Sequence, residues 1–187
     1  MSDKRWMQEA LKEAEKAFRL GEVPVGAIIT HSDDPDKLPG ELVVRAHNLV
    51  ETLGDPTAHA EIIAIRLAVD ILQTKWLSGC RIYVTLEPCA MCAGAILQVR
   101  LSRLIYSVSD PKAGACGTLE NLVQDARRNH QVDMTFGVLA DRSRELLRSF
   151  FRHRRRGARV VDRGGLENRC AFAGTEGSNP SLSATKQ

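Results

Sequence analysis

The apolar positions along this chain change period several times, and each change marks an element. Over residues 3–20, Trp6 or Met7, Ala10, Leu11, Ala14, Ala17 and Phe18 recur at helical spacing, so the stretch reads as an amphipathic helix stopped by Gly21. The next apolar runs are short and rich in β-branched residues. They predict strands at 22–29, 42–46, 80–86, 103–108 and 132–136, with Pro24 at the entry of the first because it cannot donate to a central ladder. Residues 31–40 carry Asp33-Asp34-Pro35 and Pro39-Gly40 and form the turn-rich loop between the first two strands.

Helical spacing returns at 56–73, where Ile62, Ile63, Ile65, Leu67, Ala68, Val69, Ile71 and Leu72 leave little polar face and predict a deeply buried helix. Further helices are expected at 88–99, at 119–125 and at 141–157, the last with Leu146, Leu147, Phe150 and Phe151 on its apolar side. Strands alternating with helices imply an α/β fold, a mixed five-stranded sheet covered on both faces. Periodicity stops after Gly157. Residues 164–187, rich in Gly, Ser, Thr and Asn, are expected to be disordered, which divides the chain into a domain at 1–160 and a tail at 161–187.

Composition adds bounds rather than identity. With 187 residues, 43% of them hydrophobic, the chain can bury the core of one ordinary domain. Its start, Met1-Ser-Asp-Lys-Arg-Trp6, has no apolar signal core, and no apolar run reaches the length of a membrane span. The expectation is a cytoplasmic protein with reduced thiols and no membrane partner. The net charge of +3 decides little, but its placement does. Arg142, Arg144, Arg148, Arg152, Arg154, Arg155 and Arg156 crowd the polar side of the closing helix. A basic helical face is often only a solvated surface; this density of arginine favours phosphate contacts.

The chemistry lies between His59 and Cys92. Asp55-Pro-Thr-Ala-His-Ala-Glu61 opens the stretch, and Thr85-Leu-Glu-Pro-Cys89-Ala-Met-Cys92 closes it. A lone Cys-x-x-Cys can be a redox pair or half of a structural zinc knuckle. A structural knuckle needs a fourth ligand at short spacing, and no second Cys-x-x-Cys or His pair exists; Cys80, Cys116 and Cys170 are single and scattered. His59, Cys89 and Cys92 are therefore read as the three ligands of one catalytic Zn²⁺ per subunit, a set that leaves the fourth position to water. Glu61 is left over as the carboxylate that moves protons. The predicted helices put His59 and Glu61 in one first turn and the two cysteines in another, where the helix dipole favours thiolates. His-x-Glu followed by Pro-Cys-x-x-Cys is the known signature of zinc nucleobase deaminases.

Over roughly residues 3–157 the sequence resembles bacterial tRNA-specific adenosine deaminases. The match is carried by Glu22-Val-Pro-Val-Gly-Ala27, Asp55-Pro-Thr-Ala-His-Ala-Glu-Ile62, Thr85-Leu-Glu-Pro-Cys-Ala-Met-Cys-Ala-Gly-Ala95, Asp110-Pro-Lys-Ala-Gly-Ala-Cys-Gly-Thr118 and Asn129-His130. The loop at 33–40 looks longer than that family's, and the tail beyond Arg163 has no counterpart. Gly177-Ser-Asn-Pro180 can be encoded by GGTTCGAATCCC, which resembles the T-arm of a tRNA gene, so the tail is expected to be read-through.

The resemblance implies a three-layer α/β/α cytidine deaminase-like fold, a homodimer, and conversion of adenosine to inosine at the wobble position of a tRNA anticodon stem-loop. The chief substrate implied is the arginine tRNA with anticodon ACG. By position, it implies that Asn48 hydrogen-bonds the flipped base, that the backbone near Ala60 helps hold it, and that Asp110 lies beside a neighbouring ribose. His47 receives no role. Arg152, Arg154 and Arg155 are the candidate phosphate contacts. The competing readings are a free-base guanine or cytosine deaminase with the same zinc core, and a catalytically silent RNA-binding subunit. The final basic helix and the 110–118 loop argue against the first, and Glu61 against the second.

Overall fold

The structure, a computed structural model, describes residues 3–32 and 40–163, with side chains as far as Arg155. The expectations placed on residues 33–39 and on the 164–187 tail lie outside the described residues. The elements follow in order: α1 (Asp3–Arg19), β1 (Gly26–His31), β2 (Glu41–His47), α2 (Val50–Leu53), α3 (Ala60–Leu72), β3 (Cys80–Leu86), α4 (Ala90–Gln98), β4 (Arg103–Val108), a 3₁₀ turn (Leu122–Gln124), β5 (Asp133–Phe136) and α5 (Ala140–Arg163). No helix of the described residues is long and apolar enough to cross a membrane.

The strands form one mixed sheet in the order β2-β1-β3-β4-β5. β1 is antiparallel to both β2 and β3, whereas β3, β4 and β5 run parallel. The two-residue period of a strand sorts its side chains to opposite faces. Ala27 and Ile29, Ile82 and Val84, and Leu104 and Tyr106 enter the larger core with Ala60, Ala64, Ile65, Ala68, Ala93 and Ile96 of α3 and α4. The alternate positions Ile28, Tyr83 and Ile105 meet Trp6, Met7 and Ala10 of α1, with Val138 and Leu139 at the approach to α5. The result is three layers, α/β/α. Gly26 is required where α1 presses on the sheet, because a β-carbon there would collide with the Ala10 carbonyl. Phe18 of α1 and Phe150 of α5 meet edge to face, with centroids 5.8 Å apart, and tie the two helices of this layer together.

Several local expectations change. The first strand begins at Gly26 rather than at residue 22, and the preceding segment is an irregular approach whose Val25 carbonyl accepts from Asn48 N–H at 3.1 Å. The second helix begins at Ala60 rather than at Pro56. Asp55 Oδ1 accepts from Thr57 N–H at 2.8 Å and from Thr57 Oγ1 at 2.7 Å, a local turn that competes with helix initiation. α3 is not buried all round. Ala60, Glu61, Ala64, Ile65 and Ala68 face the core, while Leu67 and Ile71 are exposed. The helix expected at 119–125 shrinks to the 3₁₀ turn, because Leu119 N–H is engaged by Gly114 and Cys116 pairs with Asn121 across the loop. On α5, Phe150 is buried and Leu146 and Leu147 are half-buried as the pattern required, but Phe151 is exposed.

Candidate metal centre and active site

Parallel strands open a crevice at their C-terminal ends, and the chain leaves β3 there directly into α4. Cys89 is the N-cap of α4, with extended φ and ψ of −73° and 174°, and Cys92 lies in the first turn. His59 is the N-cap of α3, with φ and ψ of −70° and 151°. Two caps from different helices thus face each other. Caps hold non-helical backbone, so neither His59 nor Cys89 is part of a helical first turn as the spacing suggested.

The ligand atoms of His59, Cys89 and Cys92 all lie within 4.8 Å of one another. His59 Nδ1 is 3.7 Å from Cys89 Sγ and 3.5 Å from Cys92 Sγ. A tetrahedral zinc with Zn–S of about 2.3 Å and Zn–N of about 2.0–2.1 Å would separate nitrogen from sulfur by about 3.6 Å, so this donor set fits that ion without rearrangement. Hydrogen bonds from Cys92 and His59 hold the Cys89 thiol down to about 3. The Cys92 thiol moves the other way, engaged by Cys89 and buried. His59 is raised above its ordinary value, first by its bond to Cys89, with burial opposing. Cys80, by contrast, is a small buried strand residue whose thiol is raised to about 11 by burial alone.

Glu61 is the second residue of α3, only 4% exposed, two residues after His59. Burial pushes its carboxyl above the usual carboxylate range, against its own backbone N–H and the nearby His59, which favour the charge. Ala60, fully buried, lies between His59 and Glu61. Asn48 is also buried, and Leu49 N–H donates to Ala58 O at 3.0 Å, which ties the Asn48 segment to the approach of His59. Its carboxamide Nδ2 donates to Glu22 Oε2 at 3.4 Å, while Glu22 Oε1 accepts from Thr52 N–H at 2.6 Å. Among the described residues this leaves the Asn48 carbonyl oxygen without a hydrogen-bond partner. Burial raises Glu22, but the Thr52 and Glu51 N–H groups and the Asn48 amide outweigh it and hold its carboxyl low. His47 turns away, with Nδ1 3.0 Å from Glu13 Oε2.

A separate groove of about 1140 Å³, lined by none of the cluster residues, runs between α5 and the end of β4. Val23 and Leu86, the neighbours of Glu22 and Glu87, form part of its wall, with Asp110, Phe136, Arg154 and Arg155 also lining it. Arg152 does not line this groove; it lies along the flank of α5 with Arg144, Glu145 and Arg148. Arg154 also reaches Glu51 at 3.1 Å and stacks over Phe150 at 5.7 Å. The structure therefore brings His59, Ala60, Glu61, Cys89 and Cys92 together, sets Asn48 on the adjoining segment, and places Asp110, Arg154 and Arg155 on a separate wall.

Two acids without an assigned role prove to be part of the architecture, Glu22 behind Asn48 and Glu87 behind the 110–118 loop. Each is buried in an otherwise apolar or backbone-lined setting, and an acidic residue inside a strand-like or Pro-Cys motif was the available signal.

Residues 1–155 match the family model described as MafB19-like deaminase. The chain is 45% identical over 154 residues to the tRNA-specific adenosine deaminase of Bacillus subtilis (strain 168), covering 82% of this chain and 91% of that one. It is 44% identical over 152 residues to the enzyme of the same description from Aquifex aeolicus (strain VF5), covering 81% and 95%. Among solved structures it resembles one from work on A-to-I editing by tRNA:A34 deaminases at the wobble position of transfer RNA, with a TM-score of 0.70, 38% identity, and coverage of 76% of this chain and 99% of that one.

Proposed function

The chain belongs to the MafB19-like deaminases and, among them, to the tRNA-specific adenosine deaminase family, and on that premise we propose that it converts adenosine to inosine at the wobble position of a tRNA anticodon, chiefly in the arginine tRNA with anticodon ACG. The observation that carries this reading is the convergence of His59, Cys89 and Cys92 beside a buried Glu61, in a chain whose separate α5 groove carries arginines on one wall. In this reading His59, Cys89 and Cys92 hold one zinc ion, which when bound supplies a water acidified toward neutral pH.

Glu61 then carries the protons. It accepts one from the attacking water and returns it to ring N1 as C6 becomes tetrahedral, then takes the proton of the new C6 hydroxyl and delivers it to the amine as the C6–N6 bond breaks, so water and adenosine leave as inosine and ammonia. A carboxyl that burial holds above its ordinary range suits both halves of that transfer. The target adenine leaves its stack at a cost of a few kcal/mol at most, because an anticodon loop is already single-stranded. Asn48, fixed from behind by Glu22, offers its carbonyl oxygen to the extruded base, and the backbone at Ala60 closes the other side. Asp110 serves the ribose of a neighbouring nucleotide.

Residues 1–160 form the deaminase domain in this account, acting in the cytoplasm as a homodimer. The exposed Leu67 and Ile71 on α3 support a partner surface there. The arginines supply phosphate contacts. Replacing Arg152, Arg154 and Arg155 together by alanine is expected to weaken stem-loop binding and to reduce the salt slope by about 2, at about 0.7 per single-strand contact. Binding titrated at several salt concentrations reads this directly, and an unchanged slope would leave those arginines facing solvent. Substrate class is tested by ammonia release from the zinc-loaded protein. The expected result is release with an anticodon stem-loop and none with guanine or cytosine; the reverse pattern would keep the chemistry and overturn the RNA reading.

A further inference from the structure

Glu87 directly follows β3, two residues before Cys89, and is only 2% exposed. Both of its carboxylate oxygens are taken up by one loop. Oε1 accepts from Cys116 N–H and from Thr118 N–H, each at 3.0 Å. Oε2 accepts from Asp110 N–H at 2.9 Å and from the Thr118 hydroxyl. Gly114 lies directly over the carboxylate, where a β-carbon would collide with Oε2. The same loop touches the cysteine turn through Ala115 N–H to Pro88 O at 2.9 Å and through a bridge between Cys89 and Gly114. Its other side carries Asp110 and Lys112 into the wall of the arginine-bearing groove.

We propose that Glu87 is a positioning residue, whose carboxylate serves as the template on which the 110–118 loop folds and so sets the groove wall at a fixed distance from Cys89 and Cys92. The anchoring stands on the hydrogen bonds alone; what the loop positions for rests on the RNA-deaminase reading. Only a side chain with two acceptor oxygens meets all four donors. Glutamine at this position turns an NH₂ group toward one pair, and each pair includes a backbone N–H, so at least one backbone N–H loses its acceptor whichever way the amide turns. A leucine of similar size would leave three backbone N–H groups without one, that of Cys116 buried.

The experiment uses the full-length, zinc-loaded protein carrying Glu87→Gln and reads amide hydrogen exchange, zinc content and stem-loop kinetics. Loss of the acceptor is expected to speed exchange of the 110–118 amides about tenfold, roughly the worth of one hydrogen bond to a charged group. Amides of β1 and β3 and the zinc stoichiometry should not change. For the anticodon stem-loop, KM is expected to rise about tenfold with kcat within about threefold, since a lost binding contact raises KM alone. Gly114→Ala, which displaces the carboxylate from the other side, should give the same pattern. Thr118→Val removes one donor and keeps the backbone. It is expected to give a smaller rise of about threefold, and it reads the same loop if Glu87→Gln does not fold. Unchanged loop exchange overturns the proposal. So does exchange that rises equally throughout the sheet, or loss of zinc with KM unaltered. The exchange arm needs no RNA. A wild-type protein inactive on RNA would therefore overturn the functional reading, while the loop amides still decide the role of Glu87.

Discussion

Glu61→Ala is expected to cut the single-turnover rate by on the order of 10³-fold while leaving zinc bound, because the proton carrier goes and the ligands stay. Geometry separates the two roles. His59, Cys89 and Cys92 present their donor atoms to a common centre, whereas the carboxyl of Glu61 stands beside it and is buried. Its loss should not unfold the protein, since burial already penalises its charged form and alanine fits a helical position well. Glu61→Gln keeps the shape and is expected to be as inactive, which assigns the loss to proton transfer rather than to a cavity. Quenched-flow inosine formation with parallel metal analysis checks both parts. Activity within about tenfold of wild type would contradict the role, because general acid–base transfer contributes 10²–10⁴-fold.

Cys92→Ala should be as damaging by a different route. Zinc content is expected to fall from one per chain to near zero after dialysis, with activity following it. A catalytic site with three protein ligands has none to spare, and His59 with Cys89 alone closes only half of a tetrahedron. Cys92 is fully buried, so a loss of thermal stability is also expected as the turn between β3 and α4 loosens. Cys80→Ala is the control. That thiol is equally buried but belongs to β3 and to no ligand cluster, so its variant should keep both metal and turnover. Elemental analysis of the two variants side by side decides the matter; zinc retained in Cys92→Ala would contradict the assignment of that ligand.

Much of this architecture was legible before the structure because it rests on period and spacing. The alternation at Ala27, Ile28 and Ile29 assigns side chains to two faces, and the structure sorts them so. The convergence of His59, Cys89 and Cys92 was legible because they sit in two short motifs at the starts of two helices, and the structure brings them within reach of one ion at the end of the parallel strand β3. Burial was harder to read. The residues of α3 are apolar nearly all round, but composition does not say which face the sheet covers, and Leu67 and Ile71 remain outside. Helix starts moved for a similar reason. Asp55 and Thr57 satisfy each other locally and push the first helical residue to Ala60, which turns His59 into a cap. The roles of Glu22 and Glu87 escaped because their partners are backbone N–H groups of distant loops, and no hydrophobic pattern encodes where those donors point.

The most direct test of the central claim is a nucleotide-resolved one. Zinc-loaded protein is incubated under single-turnover conditions with arginine tRNA bearing anticodon ACG, and the products are mapped by mass spectrometry of nuclease fragments. The account predicts inosine at the wobble position alone, and no reaction when that adenosine is replaced. Inosine at other adenosines, or ammonia released from free bases with the tRNA unchanged, would contradict it.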